Sequence, residues 1–263
     1  MLKKLADLGV PYVCFTVVSY FLKVIFESDV NDPVHADLFV TLVARPEAPY
    51  WYLYILFFMF LLIPPVKGKN AVWITLAVSV LLYAVAETVD VGALPYFAKN
   101  LMKYTVWFAL GMLLEEYRGA LPALTPRRAA PFFLFVPAAL AICAAGIYFP
   151  FLDLIMGVWG VAFTVSASAL VSRKLKDARK TQYFSNLVMP VFLMHTLASP
   201  MVRTALLKIG VTSAPVHLIC GFAAGIVLPV AVYLVMRALV IPEFIIYPRR
   251  TVRRLSSRNL RHT

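Results

Sequence analysis

Residues 183–209, YFSNLVMPVFLMHTLASPMVRTALLKI, decide how the rest of the chain is read. The run is long and apolar enough to cross a bilayer as a helix, yet it carries His195 near its middle. At a rise of about 1.5 Å per residue the histidine lies about 18 Å along the axis from Tyr183. That depth is close to the midplane of a hydrocarbon core about 30 Å thick. Pro190 and Pro200 bracket it. Neither has an N–H, so the carbonyls of Asn186 and Thr196 lose their helical donors at membrane depth. Ser199 follows one turn after His195 on the same face. An ionisable residue in such a kinked, polar patch is a functional candidate. The competing reading is a neutral histidine that only hydrogen-bonds a neighbouring helix, with the prolines placed for packing.

Composition extends this reading to the whole chain. Hydrophobic residues make up 62% of 263, and the mean hydropathy is +0.82. A soluble domain does not reach such values, so the fold class is all-α, a polytopic transmembrane helix bundle. Eight apolar spans are expected, at about residues 9–26, 50–65, 71–87, 101–114, 131–149, 151–171, 184–207 and 215–240. The net charge of +12 would point to nucleic acid in a soluble protein. Here the basic residues sit between apolar spans instead, and no nucleic-acid partner is expected. Cys14, Cys143 and Cys220 fall inside apolar segments without metal-ligand spacing, and read as small buried residues; no metal is expected. The first apolar run reads as a retained span rather than a cleavable signal.

Charge placement gives orientation. With the N-terminus in the cytoplasm and alternating spans, the cytoplasmic segments hold Lys3, Lys4, Lys67, Lys69, Arg118, Arg127, Arg128, the basic residues of the 172–180 loop, and the arginines of the tail. The opposite face keeps Lys23, Arg45, Lys99, Lys103, Arg203 and Lys208, and collects acids such as Glu27, Asp37, Glu87 and Asp153. The positive-inside rule then holds at every loop, with both termini cytoplasmic in the plasma (inner) membrane. Residues 1–248 are read as the membrane domain and 249–263 as a basic cytoplasmic tail. The basic loop and tail serve as topology signals against anionic lipid, or help hold an anionic cytosolic ligand.

The outer loop 27–49 reads as a short interfacial helix, with Val34, Leu38, Phe39, Leu42 and Val43 on one face. Tyr50, Trp51, Tyr52 and Tyr54 stand where the next span meets the outer interface, as an aromatic belt would. Gly157, Gly160, Thr164 and Ser168 form a stripe of small residues, the mark of close helix packing. Motifs for nucleotide phosphates, serine hydrolases and zinc proteases are absent from the sequence.

Three stretches together resemble the integral-membrane acyltransferase type 3 family: PYWYLYILF at 49–57, YTVWFALGMLLEEY at 104–117, and FSNLVMPVFLMHTL at 184–197. The resemblance implies a ten-span core that transfers acyl groups, often acetyl, from a cytosolic acyl-CoA to hydroxyls of cell-envelope sugars. KKLADLGVPYVCF, residues 3–15, resembles the entry to the family's third span. The family's first two spans, its catalytic histidine and its arginine pair therefore find no match in residues 1–263. The expected explanations are a mis-assigned start, a fragment, or a degenerate homologue that needs a partner membrane subunit.

The resemblance implies a membrane-bound O-acyltransferase that uses acyl-CoA as co-substrate, binds no resident cofactor, and acts on an envelope glycan or another hydroxyl acceptor. The residues expected to take part are His195 as the base, Trp51, Tyr52 and Ser199 along a substrate channel, and Lys3 and Lys4 toward the donor. A non-catalytic homologue that keeps the bundle, or a small-solute carrier, is the alternative. A carrier would show inverted repeats or more buried charge.

Overall fold

The structure is a computed structural model. It describes residues 2–26, 37–47, 49–63, 66, 68–119, 126–174, 178–237 and 240–252. All regular structure among these residues is helical: α1 (Leu2–Ile25), α2 (Leu38–Val43), α3 (Trp51–Leu62), α4 (Lys69–Thr88), α5 (Tyr96–Glu116), α6 (Pro126–Phe133), α7 (Phe135–Ala145), α8 (Leu152–Lys174), α9 (Ala178–Lys208), α10 (Ala214–Met236) and α11 (Val240–Ile246).

Among the described residues, six stretches are long and apolar enough to cross a membrane: Ala6–Ile25, Lys69–Thr88, Pro126–Ala145, Leu152–Ser172, Thr181–Lys208 and Ala214–Met236. The other two expected spans are also helical but differ from the rest. α3 has 12 residues, and Pro64 and Pro65 follow directly after Ile63, which is already extended (ψ 110) as a residue before proline prefers. α5 has 21 residues, but Lys99, Asn100 and Lys103 dilute its apolar character. Large apolar side chains stay exposed along the spans, among them Leu140, Leu218, Ile219 and Phe222. An outward apolar surface of this extent is what a bilayer covers. The molecule is a polytopic helix bundle.

The chain divides into two compact units. Unit 1 comprises Met1–Pro65, Pro95–Phe97 and Ser185–Thr263. Its core joins Tyr12 and Phe15 of α1, Tyr50 and Leu53 at the start of α3, Leu193 and Met194 of α9, Tyr233 of α10 and Ile246 of α11. Tyrosine hydroxyls tie the elements together: Tyr12 donates to the Leu42 carbonyl at 2.6 Å, and Tyr54 to that of Val43 at 2.7 Å. Both carbonyls belong to the end of α2, where helical donors run out. Asp37 caps the other end by accepting the Val40 N–H at 2.8 Å. Of the expected interfacial helix, the described part is α2. Phe39 stays 72% exposed while Leu42 packs on the core, and Val34 and His35 lie outside the described residues.

Unit 2 comprises Val66–Leu94 and Ala98–Phe184. The stripe of small residues on α8 receives aromatic rings. A Cβ at Gly157 would lie 2.3 Å from the Trp107 ring, and one at Gly160 would lie 3.1 Å from Phe135. Phe163 packs edge-on against Phe133 and parallel to Phe135. Between α6 and α7 the helix breaks at Leu134, three residues before Pro137, which cannot donate to the Phe133 carbonyl. α7 ends on Gly146 in the left-handed region, with the Ile147 N–H returning to the Ile142 carbonyl at 3.2 Å.

Candidate functional site

α9 runs as one helix of 31 residues through Pro190 and Pro200. Pro190 is fully buried and cannot donate to the Asn186 carbonyl, so that acceptor needs another partner. Tyr247, just beyond α11, supplies it: its hydroxyl donates to Asn186 O at 2.7 Å. One turn above Pro190, the fully buried Tyr50 donates to the Leu193 carbonyl at 3.0 Å, and Thr196 lies beside the same hydroxyl. Two tyrosines distant in sequence therefore fix the register of α9 in unit 1.

His195 sits half-buried on this helix. Its Nδ1 lies 3.0 Å from the Val191 carbonyl and 2.8 Å from that of Phe192. A carbonyl oxygen only accepts, so Nδ1 carries the proton and donates to both. In the neutral ring Nε2 then holds the lone pair. The ring is held by its own helical turn, with its basic nitrogen turned away from that turn. No described group hydrogen-bonds to Nε2.

The structure brings Tyr52 toward this histidine through Phe192. The Tyr52 and Phe192 rings meet edge-on at 5.9 Å, and the Phe192 and His195 rings are 6.3 Å apart. Tyr52 is 49% exposed and packs edge-on against the half-buried Trp51 at 6.2 Å. Trp51, Tyr52, Phe192 and His195 thus form an aromatic file from the start of α3 to the middle of α9.

Ser199 is placed differently. Its hydroxyl donates to the Gly221 carbonyl of α10 at 2.8 Å. A Cβ at Gly225 would lie 2.6 Å from Ser199 Oγ and 3.6 Å from His195 Cβ. The α9–α10 contact is therefore made by His195 and Ser199, one turn apart, against Gly221 and Gly225, also one turn apart. GFAAG inside an apolar helix was the legible signal for this contact, and the sequence reading passed over it. Lys3 and Lys4 lie in the first turn of α1, and their side chains fall outside the described ones. Close by in sequence, the Asp7 carboxylate accepts the Arg249 N–H at 3.3 Å and pairs with its guanidinium at 3.7 Å. Among the described residues no three His, Cys, Asp or Glu side chains gather as metal ligands.

The profile of a family described as an acyltransferase domain matches residues 1–234. The chain belongs to the acyltransferase type 3 family. No curated protein and no solved structure matches it. Within the family match fall α1 to α9, most of α10, and every residue of the file from Trp51 to His195.

Proposed function

We propose that this membrane acyltransferase moves an acyl group, acetyl in the first instance, from acyl-CoA to a hydroxyl of a cell-envelope sugar. The observation that carries the reading is the family match over residues 1–234 on a polytopic helix bundle. In unit 1 the arrangement around His195 supports a base at Nε2. Nδ1 is committed to the Val191 and Phe192 carbonyls, which fixes both the tautomer and the ring orientation. Nε2 takes the acceptor hydroxyl proton as the oxygen attacks the acyl carbonyl carbon. The carbon–sulfur bond then breaks, and the coenzyme A thiolate leaves and takes up the proton. His217, the other described histidine, fits this role less well, because its Nδ1 is buried and Nε2 is engaged with the Val211 carbonyl at 2.8 Å.

The proposal includes an orientation with both termini and the 172–180 segment in the cytoplasm, where acyl-CoA is made, and α2 on the opposite side. The lysine and arginine asymmetry supports it. Membranes expressing the chain, supplied with labelled acetyl-CoA and a glycan acceptor, test the chemistry. His195→Ala should lower transfer by about 10²-fold or more, the usual contribution of a positioned base. Transfer undiminished in His195→Ala would assign the base elsewhere and leave His195 a packing residue of the α9–α10 contact.

A further inference from the structure

Where α4 ends and α5 and α8 begin, unit 2 gathers three features that each cost stability. Tyr83 of α4 is 2% exposed, and its buried hydroxyl has no hydrogen-bond partner among the described residues. Folding has stripped that hydroxyl of water and given nothing back. One turn on, Glu87 occupies the last turn of α4, where the negative end of the helix dipole opposes a carboxylate. Lys103 of α5 holds it at 2.8 Å. Phe151, just before α8, adopts φ 69, a region that bulky residues avoid, and this turn sets its ring 6.1 Å from that of Tyr83. Asp153 in the first turn of α8 and the 73% exposed Tyr148 lie within electrostatic reach of the Tyr83 phenol. Local rules broken together at one point mark a site held for function rather than stability.

We propose that this cluster binds a neutral sugar ring. Two carboxylates against one ammonium disfavour an anion, and the ammonium disfavours a metal ion. Sugar hydroxyls both donate and accept, and so suit Glu87 and Asp153 as acceptors, Lys103 as donor, and the Tyr83 hydroxyl as either. The exposed Tyr148 ring offers an apolar face to the C–H side of a ring. Lys103, with its side chain 37% exposed, is paired with Glu87, and a partly exposed ion pair is a weak bar to a ligand hydroxyl. Binding then gives the buried phenol its missing partner.

The cluster belongs to unit 2 and His195 to unit 1, and the test reads binding rather than transfer, so either reading can fail alone. Saturation-transfer NMR on the full chain in lipid nanodiscs, with glucose, galactose and N-acetylglucosamine as probes, measures it. At least one of these should bind saturably, and more tightly than glucose 6-phosphate. Glu87→Gln should weaken binding about tenfold, one charge-assisted hydrogen bond's worth. Tyr83→Phe should also weaken it, without lowering thermal stability, because the hydroxyl removed has no partner to lose. If Glu87→Gln fails to fold, Tyr83→Phe decides by itself. Absence of saturable binding by all three sugars, tighter binding of the phosphate, or unchanged affinity in Tyr83→Phe would overturn the proposal.

Discussion

Tyr247→Phe isolates the way unit 1 accommodates the proline in α9. The substitution removes one oxygen and keeps the ring, with its edge-on contact to Tyr233 at 6.0 Å and Arg250 5.9 Å above its face. What is lost is the 2.7 Å hydrogen bond to the Asn186 carbonyl, which Pro190 has deprived of its helical donor. Leaving this half-buried acceptor unsatisfied costs about 1–3 kcal/mol. At roughly 2–4 °C per kcal/mol for a chain of this size, the apparent Tm should fall by roughly 2–12 °C. The decisive measurement is the double-mutant cycle with Pro190→Ala, followed by tryptophan fluorescence during heating in detergent. Alanine restores an N–H four residues after Asn186, so the carbonyl regains a partner within its own helix. In that background Tyr247→Phe should cost less than about 0.5 kcal/mol, a coupling of roughly 0.5–3 kcal/mol. Costs that add to within about 0.5 kcal/mol in the double variant would refute the pairing.

Three further expectations use the same preparation or whole cells. Gly225→Ala would set a Cβ 2.6 Å from Ser199 Oγ, which is anchored on Gly221, and should destabilise by about 1–3 kcal/mol. Ser199→Ala should remove most of that penalty, since the next neighbour is His195 Cβ at an ordinary 3.6 Å, and an undiminished penalty would disprove the contact. Burial raises the Tyr247 phenol above its usual value, so the folded state keeps its proton beyond about pH 10 while the unfolded chain releases it. Stability from this group is complete below about pH 10 and is lost as pH rises through the folded value. The fall in apparent Tm between about pH 9 and about pH 11 should therefore be shallower in Tyr247→Phe, and equal slopes would contradict it. For orientation, Asp37→Cys should react with a membrane-impermeant maleimide in intact cells, and labelling only after permeabilisation would reverse the proposed topology.

Sequence periodicity and hydropathy carried the architecture because a bilayer demands long apolar helices whatever their partners. The described residues of each of the eight apolar runs are mostly helical, but the ends moved where polar residues continue a helix. α9 starts at Ala178 rather than 184 because Arg179, Lys180 and Gln182 are good helix formers. α5 likewise starts at Tyr96. Long-range polar pairs were illegible, for a plain reason. Asn186 is freed by Pro190, four residues away, but Tyr247, which satisfies it, lies 61 residues off. Asp7 and Arg249 are separated by 242 residues. Hydropathy records which groups are apolar, and proline records which carbonyl is orphaned; neither records who answers.

The two readings of His195 make different demands on its ring. A histidine kept only for packing satisfies what it buries, at both nitrogens where both are enclosed. A base needs one nitrogen locked and the other open. Val191 and Phe192 lock Nδ1 from the same turn, so no neighbouring helix is needed to set the tautomer. The contact with α10 is left to His195 Cβ and to Ser199, against glycines that offer no side chain to bond the ring. Packing therefore accounts for the backbone of this turn and for Ser199 and makes no demand on Nε2, so transfer by His195→Ala separates the two readings. A helix interrupted by Pro190 and still held in register by Tyr50 and Tyr247 can present that nitrogen at a fixed position. A base acting at hydrogen-bond range requires that fixity.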